Sequence, residues 1–125
     1  MANPCRTVMP IRMDLLLEQC LHQASFAEAL LDEWEATAGD AVTRVSERVA
    51  AVDAEGATDA LHAYKGAAGI VGATKLSELC RDGEEAGRRG DIGRIRSLLR
   101  AIRAETDACL SALPDLRRRL RSFST

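Results

Sequence analysis

From residue 26 to residue 52 the apolar positions Phe26, Leu30, Trp34, Ala38, Val42, Val45, Val49 and Val52 follow one another at steps of three or four without a slip. A helix turns about 100° per residue, so this spacing lays one apolar stripe along one long helix. Gly39 falls inside the run and costs roughly 1 kcal/mol of helix propensity, yet the unbroken phase predicts a single helix through it. The same spacing predicts an earlier helix over residues 11–23, with Ile11, Leu15, Leu16 and Cys20 as its stripe. Ser25 is then the expected N-cap of the long helix, with Glu28 completing a capping box.

Asp53-Ala54-Glu55-Gly56 reads as a turn, and a third helix is expected from about Ala57 to Gly72, where glycine can take the left-handed conformation that satisfies the last carbonyls. A fourth covers residues 74–89, with Leu76, Leu79 and Cys80 inward, and is closed by Arg88-Arg89-Gly90. Asp91 caps a fifth, whose stripe is Ile92, Ile95, Leu99, Ile102, Thr106, Cys109 and Leu113. Pro114 is expected to kink or restart it, leaving Leu116, Leu120 and Phe123 on a short final helix.

Connections this short place neighbouring helices antiparallel. The predicted fold is all-α: an up-and-down four-helix bundle made by the second to fifth helices, with an additional N-terminal helix capping one end and a short C-terminal helical extension. The chain's 125 residues suffice for one domain with a real core and are too few for two. Residues 1–10, with Pro4 and Pro10, read as an irregular lead-in, and residues 11–125 as the helical domain.

No apolar run approaches the roughly 20 residues needed to span a bilayer, and the first ten residues lack the apolar centre of a signal peptide. The expectation is a soluble cytoplasmic domain without membrane contact. Cys5, Cys20, Cys80 and Cys109 form no C-x-x-C pair, which argues against a redox motif or a zinc site; the last three read as small buried apolar residues. Charge changes the picture more. Residues 1–60 carry 4 basic and 11 acidic side chains, and residues 61–125 carry 13 and 8, so two solvated faces are expected to attract each other across the bundle. The dense run Arg117-Arg118-Arg119-Leu120-Arg121 has no interleaved aromatics, and nucleic acid is not the expected partner.

The candidate chemistry lies on the third helix. His62, Lys65, Gly66 and Gly69 share one side, and Leu61, Tyr64, Ala68 and Val71 lie roughly opposite. Imidazole is a good nucleophile at cellular pH, and an ammonium one turn onward can balance an anion built on the ring. Two glycines in one helix sacrifice roughly 1.5 to 2 kcal/mol of propensity, which is understandable if a large partner must approach bare backbone. Asp59, one turn before His62, could hydrogen-bond the imidazole and fix its tautomer, or repel an anion arriving at the ring. His22 has no such company, and neither histidine carries the Glu-x-x-His spacing of a metal-binding bundle.

These residues carry a resemblance. His62-x-x-Lys65-Gly66, then Gly72-Ala73-x-x-Leu76-x-x-Leu79-Cys80, together with the helix plan from about Leu15 to Leu113, resembles the histidine-containing phosphotransfer (HPt) domains of bacterial multistep phosphorelays. The resemblance implies that His62 accepts a phosphoryl group from the aspartyl phosphate of a receiver domain and passes it to another receiver. Lys65 matches the family's basic neighbour and Gly66 its clearance glycine; Gly69 and Asp59 are the further candidates for partner contact. It implies a carrier rather than an independent catalyst, with no cofactor of its own, because the receiver supplies the acidic pocket and Mg²⁺. A monomer suffices for that role.

Three positions depart from the family pattern. Tyr64 stands where leucine is usual, Gly83 where a larger apolar residue is usual, and Asp59 lies close to the histidine. Since Gly83 and Gly87 share a face with Leu76, Leu79 and Cys80, Trp34 is the expected filler of that space. The rival function is an adaptor that keeps the HPt shape but regulates a non-receiver protein.

Overall fold

The computed structural model describes residues 9–123; Cys5 and most of the predicted lead-in lie outside the described residues. Five helices follow in order: α1 (Met13–Gln19), α2 (Ala24–Ala50), α3 (Ala54–Ile70), α4 (Thr74–Arg88) and α5 (Ile92–Phe123), with no strand among the described residues. Helices α2 to α5 pack as the predicted bundle, each against its chain neighbour and α2 against α5.

The helix ends explain where the sequence reading shifts. α1 stops at Gln19 rather than at residue 23 because Leu21 and His22 adopt left-handed backbone, φ 54° and 60°. The His22 amide then donates to Leu17 O (2.7 Å) and the Leu21 amide to Glu18 O (3.3 Å), capturing the orphan carbonyls. The start of α2 moves with it. Gln23 is the N-cap without a side-chain cap bond, and Ser25 falls inside the first turn, so the expected capping box is not formed. Glu28 lies toward Arg121 of α5 instead.

The reversal between α2 and α3 is also tighter than expected. Val52 takes φ 54°, and Asp53 caps α3 by accepting from the Gly56 amide at 2.8 Å, so the predicted turn is the first turn of the helix. Gly72 behaves as predicted and does more. Its φ of 83° ends α3, its carbonyl accepts from the Arg12 amide at 2.9 Å, and a Cβ there would stand 2.7 Å from Arg12 O. The glycine thus lets the segment before α1 lie directly on the α3–α4 turn. Gly90, at φ 73°, closes α4, and the Asp91 carboxylate accepts from the Arg94 amide to start α5.

Pro114 does not restart the last helix; α5 continues through it to Phe123. Leu113 on one side and Leu116 and Leu120 on the other are buried in the same core, which keeps the helix continuous across the proline. Within the core Leu31, Leu61, Leu76, Ile95, Ile102 and Leu113 are fully buried, whereas Phe26 and Val52, expected on the α2 stripe, are exposed. Ala24, Ala27 and Leu31 line the α2 side instead. Cys20, Cys80 and Cys109 are buried free thiols, and burial pushes Cys80 and Cys109 up to about 12.

Tyr64 packs inward, with its hydroxyl 2.7 Å from that of Thr106 on α5, so the family's leucine position is filled by a satisfied buried phenol. Trp34 does not fill the space at Gly83 and Gly87. A Cβ on Gly83 would meet Leu61 Cδ1 at 2.9 Å and one on Gly87 would collide with Thr58, so α3 itself closes that gap while Trp34 lies along the α2–α3 seam.

Candidate functional site

The close approach of α3 and α4 brings the site together. Leu76, Cys80 and Glu84 recur at steps of four on α4 and face the core. Because Gly83 and Gly87 carry no side chain, α4 lies near enough to α3 for Glu84 to reach under His62 and Lys65. Glu84 is a carboxylate only 2% exposed. Such burial is costly unless the charge is paired.

It is paired three times. Lys65 Nζ lies 2.8 Å from Oε1, while His62 Nδ1 at 2.8 Å and Arg88 Nη2 at 2.6 Å share Oε2. Burial by itself would raise the Glu84 pKa. The hydrogen bonds from Lys65 and His62 and the charges of Lys65 and Arg88 outweigh it and hold the carboxyl below its ordinary value. An ionised carboxylate only accepts, so Nδ1 of His62 carries the donated proton. Nε2 has no partner among the described residues and belongs to a side chain 68% exposed; in the neutral ring it carries the lone pair.

Around this ring the front of α3 is bare. A Cβ on Gly66 would meet nothing within 4 Å, and one on Gly69 only Ser77 Oγ at 3.8 Å. No internal neighbour therefore requires either glycine. His62, Lys65, Gly66 and Gly69 do share one face, and Leu61, Tyr64, Ala68 and Val71 are buried behind them, as the periodicity predicts.

Asp59 is not part of the cluster. It is exposed and makes no hydrogen bond or ion pair among the described residues, so the partner of the imidazole is Glu84 of α4 and not the carboxylate one turn away. Glu84 and Arg88 are the residues that sequence reasoning missed. The available signal was a glutamate continuing the Leu76–Cys80 stripe between two glycines, a charge where the helical period demands an apolar side chain.

Elsewhere the basic run at the end of α5 is taken up internally. Arg117 reaches Asp32 (2.8 Å) and Glu35 (2.7 Å) of α2, and Arg118 and Arg119 both pair with Asp115. The acidic first half and basic second half do meet across the bundle, as their charge predicts. No group of three or more His, Cys, Asp or Glu side chains among the described residues is placed to hold a metal ion. No helix among them is long and apolar enough to cross a membrane.

The His62 imidazole thus stands open to solvent on the surface of a helical bundle, its ring held from behind by a buried carboxylate. The family model for the Hpt domain matches residues 25–116, and the chain belongs to that family. Hpt domains serve histidine phosphotransfer in phosphorelays, in association with receiver domains. No curated protein and no solved structure matches the chain.

Proposed function

We propose that His62 is the phosphoacceptor, taking a phosphoryl group from the aspartyl phosphate of a receiver domain and handing it to the aspartate of another. The observation that carries the reading is the pairing of Nδ1 with ionised Glu84, which leaves Nε2 free and outward. In the forward step the Nε2 lone pair forms the N–P bond, and the P–O bond to the receiver's aspartate breaks with its electron pair leaving on the carboxylate. The Nδ1 proton stays in its hydrogen bond. The ring gains positive character as the bond forms, and Glu84 already faces it, so the stabilising charge is in place before reaction. The return step reverses every movement.

Lys65 and Arg88 are the charge-balancing side chains. Both are drawn to Glu84, and two cations around one carboxylate leave positive charge at the surface where the phosphoryl group would arrive. Gly66 and Gly69 give the receiver room. The receiver supplies the acidic pocket and Mg²⁺, so this chain acts as a carrier in the cytoplasm, and one copy is enough.

The test is transfer of labelled phosphate from a panel of phosphorylated receiver domains to the wild-type chain and to His62→Gln. The expected result is acid-labile, base-stable label on the wild type and none on the variant. If no receiver labels the wild type and His62→Gln leaves the biological output intact, the adaptor reading replaces this one.

A further inference from the structure

Beside the imidazole lies a feature that the transfer chemistry does not use. Along α3, about 6 to 10 Å from His62 by helical rise, an open groove of about 360 Å³ has Gly66 and Gly69 as its floor. Gln19, in the last turn of α1, forms one side, and Ser77, Glu78 and Arg81 of α4 form the other. It is continuous with the phosphoacceptor site because Lys65 borders both.

Two facts single this groove out. The first is its α1 wall. The family match begins at residue 25, so α1 is an addition to the matched region, yet it is fixed firmly: Ile11, Leu16, Leu17 and Cys20 are buried, the Arg12 amide bonds Gly72 O, and a Cβ at Gly72 would not fit against Arg12. The left-handed pair Leu21 and His22 ends the helix one turn after Leu17, so Gln19 is held at the groove by the fold and not by chance. The second is Arg81. Its guanidinium is exposed and makes no hydrogen bond or ion pair among the described residues, in contrast to Lys65 and Arg88, which are committed to Glu84. Glu78, three residues earlier, is likewise exposed and unpaired with it.

We propose that this groove is the specificity element of the transfer face, in which Gln19 from α1 and the free Arg81 guanidinium from α4 read an acidic side chain of the incoming receiver domain. The inference rests on the phosphotransfer reading, since it names the receiver as the occupant. The occupant follows from continuity with His62 and from charge: a phosphorylated aspartate and its acidic pocket arrive at Lys65, and an acidic neighbour one to two helical turns away meets Arg81. Complementary rim charges of this kind act on association rate and partner choice more than on the chemical step. The unused guanidinium confers preference without disturbing the Glu84 cluster.

The test compares the full chain with Arg81→Glu and Gln19→Ala in two reactions, using a panel of purified receiver domains phosphorylated by acetyl phosphate, and phosphoramidate as a small donor. The expected result is a drop of about tenfold or more in the second-order rate constant for the receivers that the wild type prefers, with a narrower spread across the panel. The salt dependence should weaken, while phosphoramidate labelling of His62 and the melting curve stay unchanged, because a small donor does not span the groove. Gln19→Ala should change the rank order by a smaller factor. If the wild type accepts phosphate from receivers but both variants keep its rates and rank order, the groove inference is overturned and the transfer reading stands. Equal losses toward receivers and phosphoramidate would also overturn it, since they would place the effect at His62. A wild type that no receiver labels would remove both.

Discussion

Two pairs of glycines flank the same chemistry and do opposite work. On α4, Gly83 and Gly87 are closed sites: Leu61 and Thr58 of α3 occupy the space a side chain would need. On α3, Gly66 and Gly69 are open sites that no internal neighbour requires. The closed pair draws the helices together and so carries Glu84 beneath the imidazole; the open pair clears the outer surface of the same helix. A glycine that packing requires and a glycine that packing leaves open look identical in a sequence. What separates them is the neighbour that a Cβ would meet.

The most severe way to break the comparison is Gly66→Leu. The substitution should lower receiver-to-His62 transfer by about 100-fold or more, the scale of a misplaced reacting pair, while thermal stability holds or rises by about 0.5–1 kcal/mol from better helix propensity. Normal transfer by a folded Gly66→Leu protein would show that the open face clears nothing. Gly83→Leu should do the reverse, lowering stability by about 2 kcal/mol through overpacking against Leu61, read by chemical denaturation. A variant as stable as wild type would show that α3 and α4 can part without penalty.

A third substitution sharpens what the close approach achieves. Glu84→Gln keeps the shape but removes the charge that faces Nδ1, and transfer should slow by about tenfold, or about 1.4 kcal/mol of barrier. It also carries a pH signature. Because the folded-state pKa of Glu84 is depressed, the stability it contributes is present at neutral pH and disappears as pH falls from about 5 through that lowered value. Acid titration of the wild type should therefore show a loss that Glu84→Gln lacks, and superimposable acid limbs would contradict the ion-pair account. The smallest effect belongs far from the site. Arg117→Ala removes the clasp on Asp32 and Glu35, which are themselves largely exposed, and should cost about 1 kcal/mol or less with no change in transfer.

The sequence made the helices legible because the apolar period ran unbroken through Gly39 and because Gly72, Gly90 and Asp91 marked ends by their own chemistry. It was less informative where backbone went left-handed at Leu21 and Val52, residue types that rarely adopt that conformation, and at His22 beside Leu21. It also overstated Pro114, whose local preference was overridden by buried leucines on both sides. The face bearing His62, Lys65, Gly66 and Gly69 could be drawn from periodicity alone. Its second layer could not, because Glu84 and Arg88 come from another helix, 22 and 26 residues on from His62, and their contact depends on two glycines being filled by Leu61 and Thr58. Proximity in sequence favoured Asp59, and proximity in space belongs to Glu84.

The central claim is that one nitrogen of one side chain, Nε2 of His62, carries the phosphoryl group. Phosphotransfer from labelled receiver domains, followed under neutral to basic conditions by tandem mass spectrometry to locate the residue and by 15N and 31P NMR to tell its two ring nitrogens apart, tests it directly. The account predicts a single phosphorylated residue, His62, with the phosphate on Nε2 and no incorporation into His62→Gln. Label on Nδ1, on another residue, or retained in His62→Gln would contradict it.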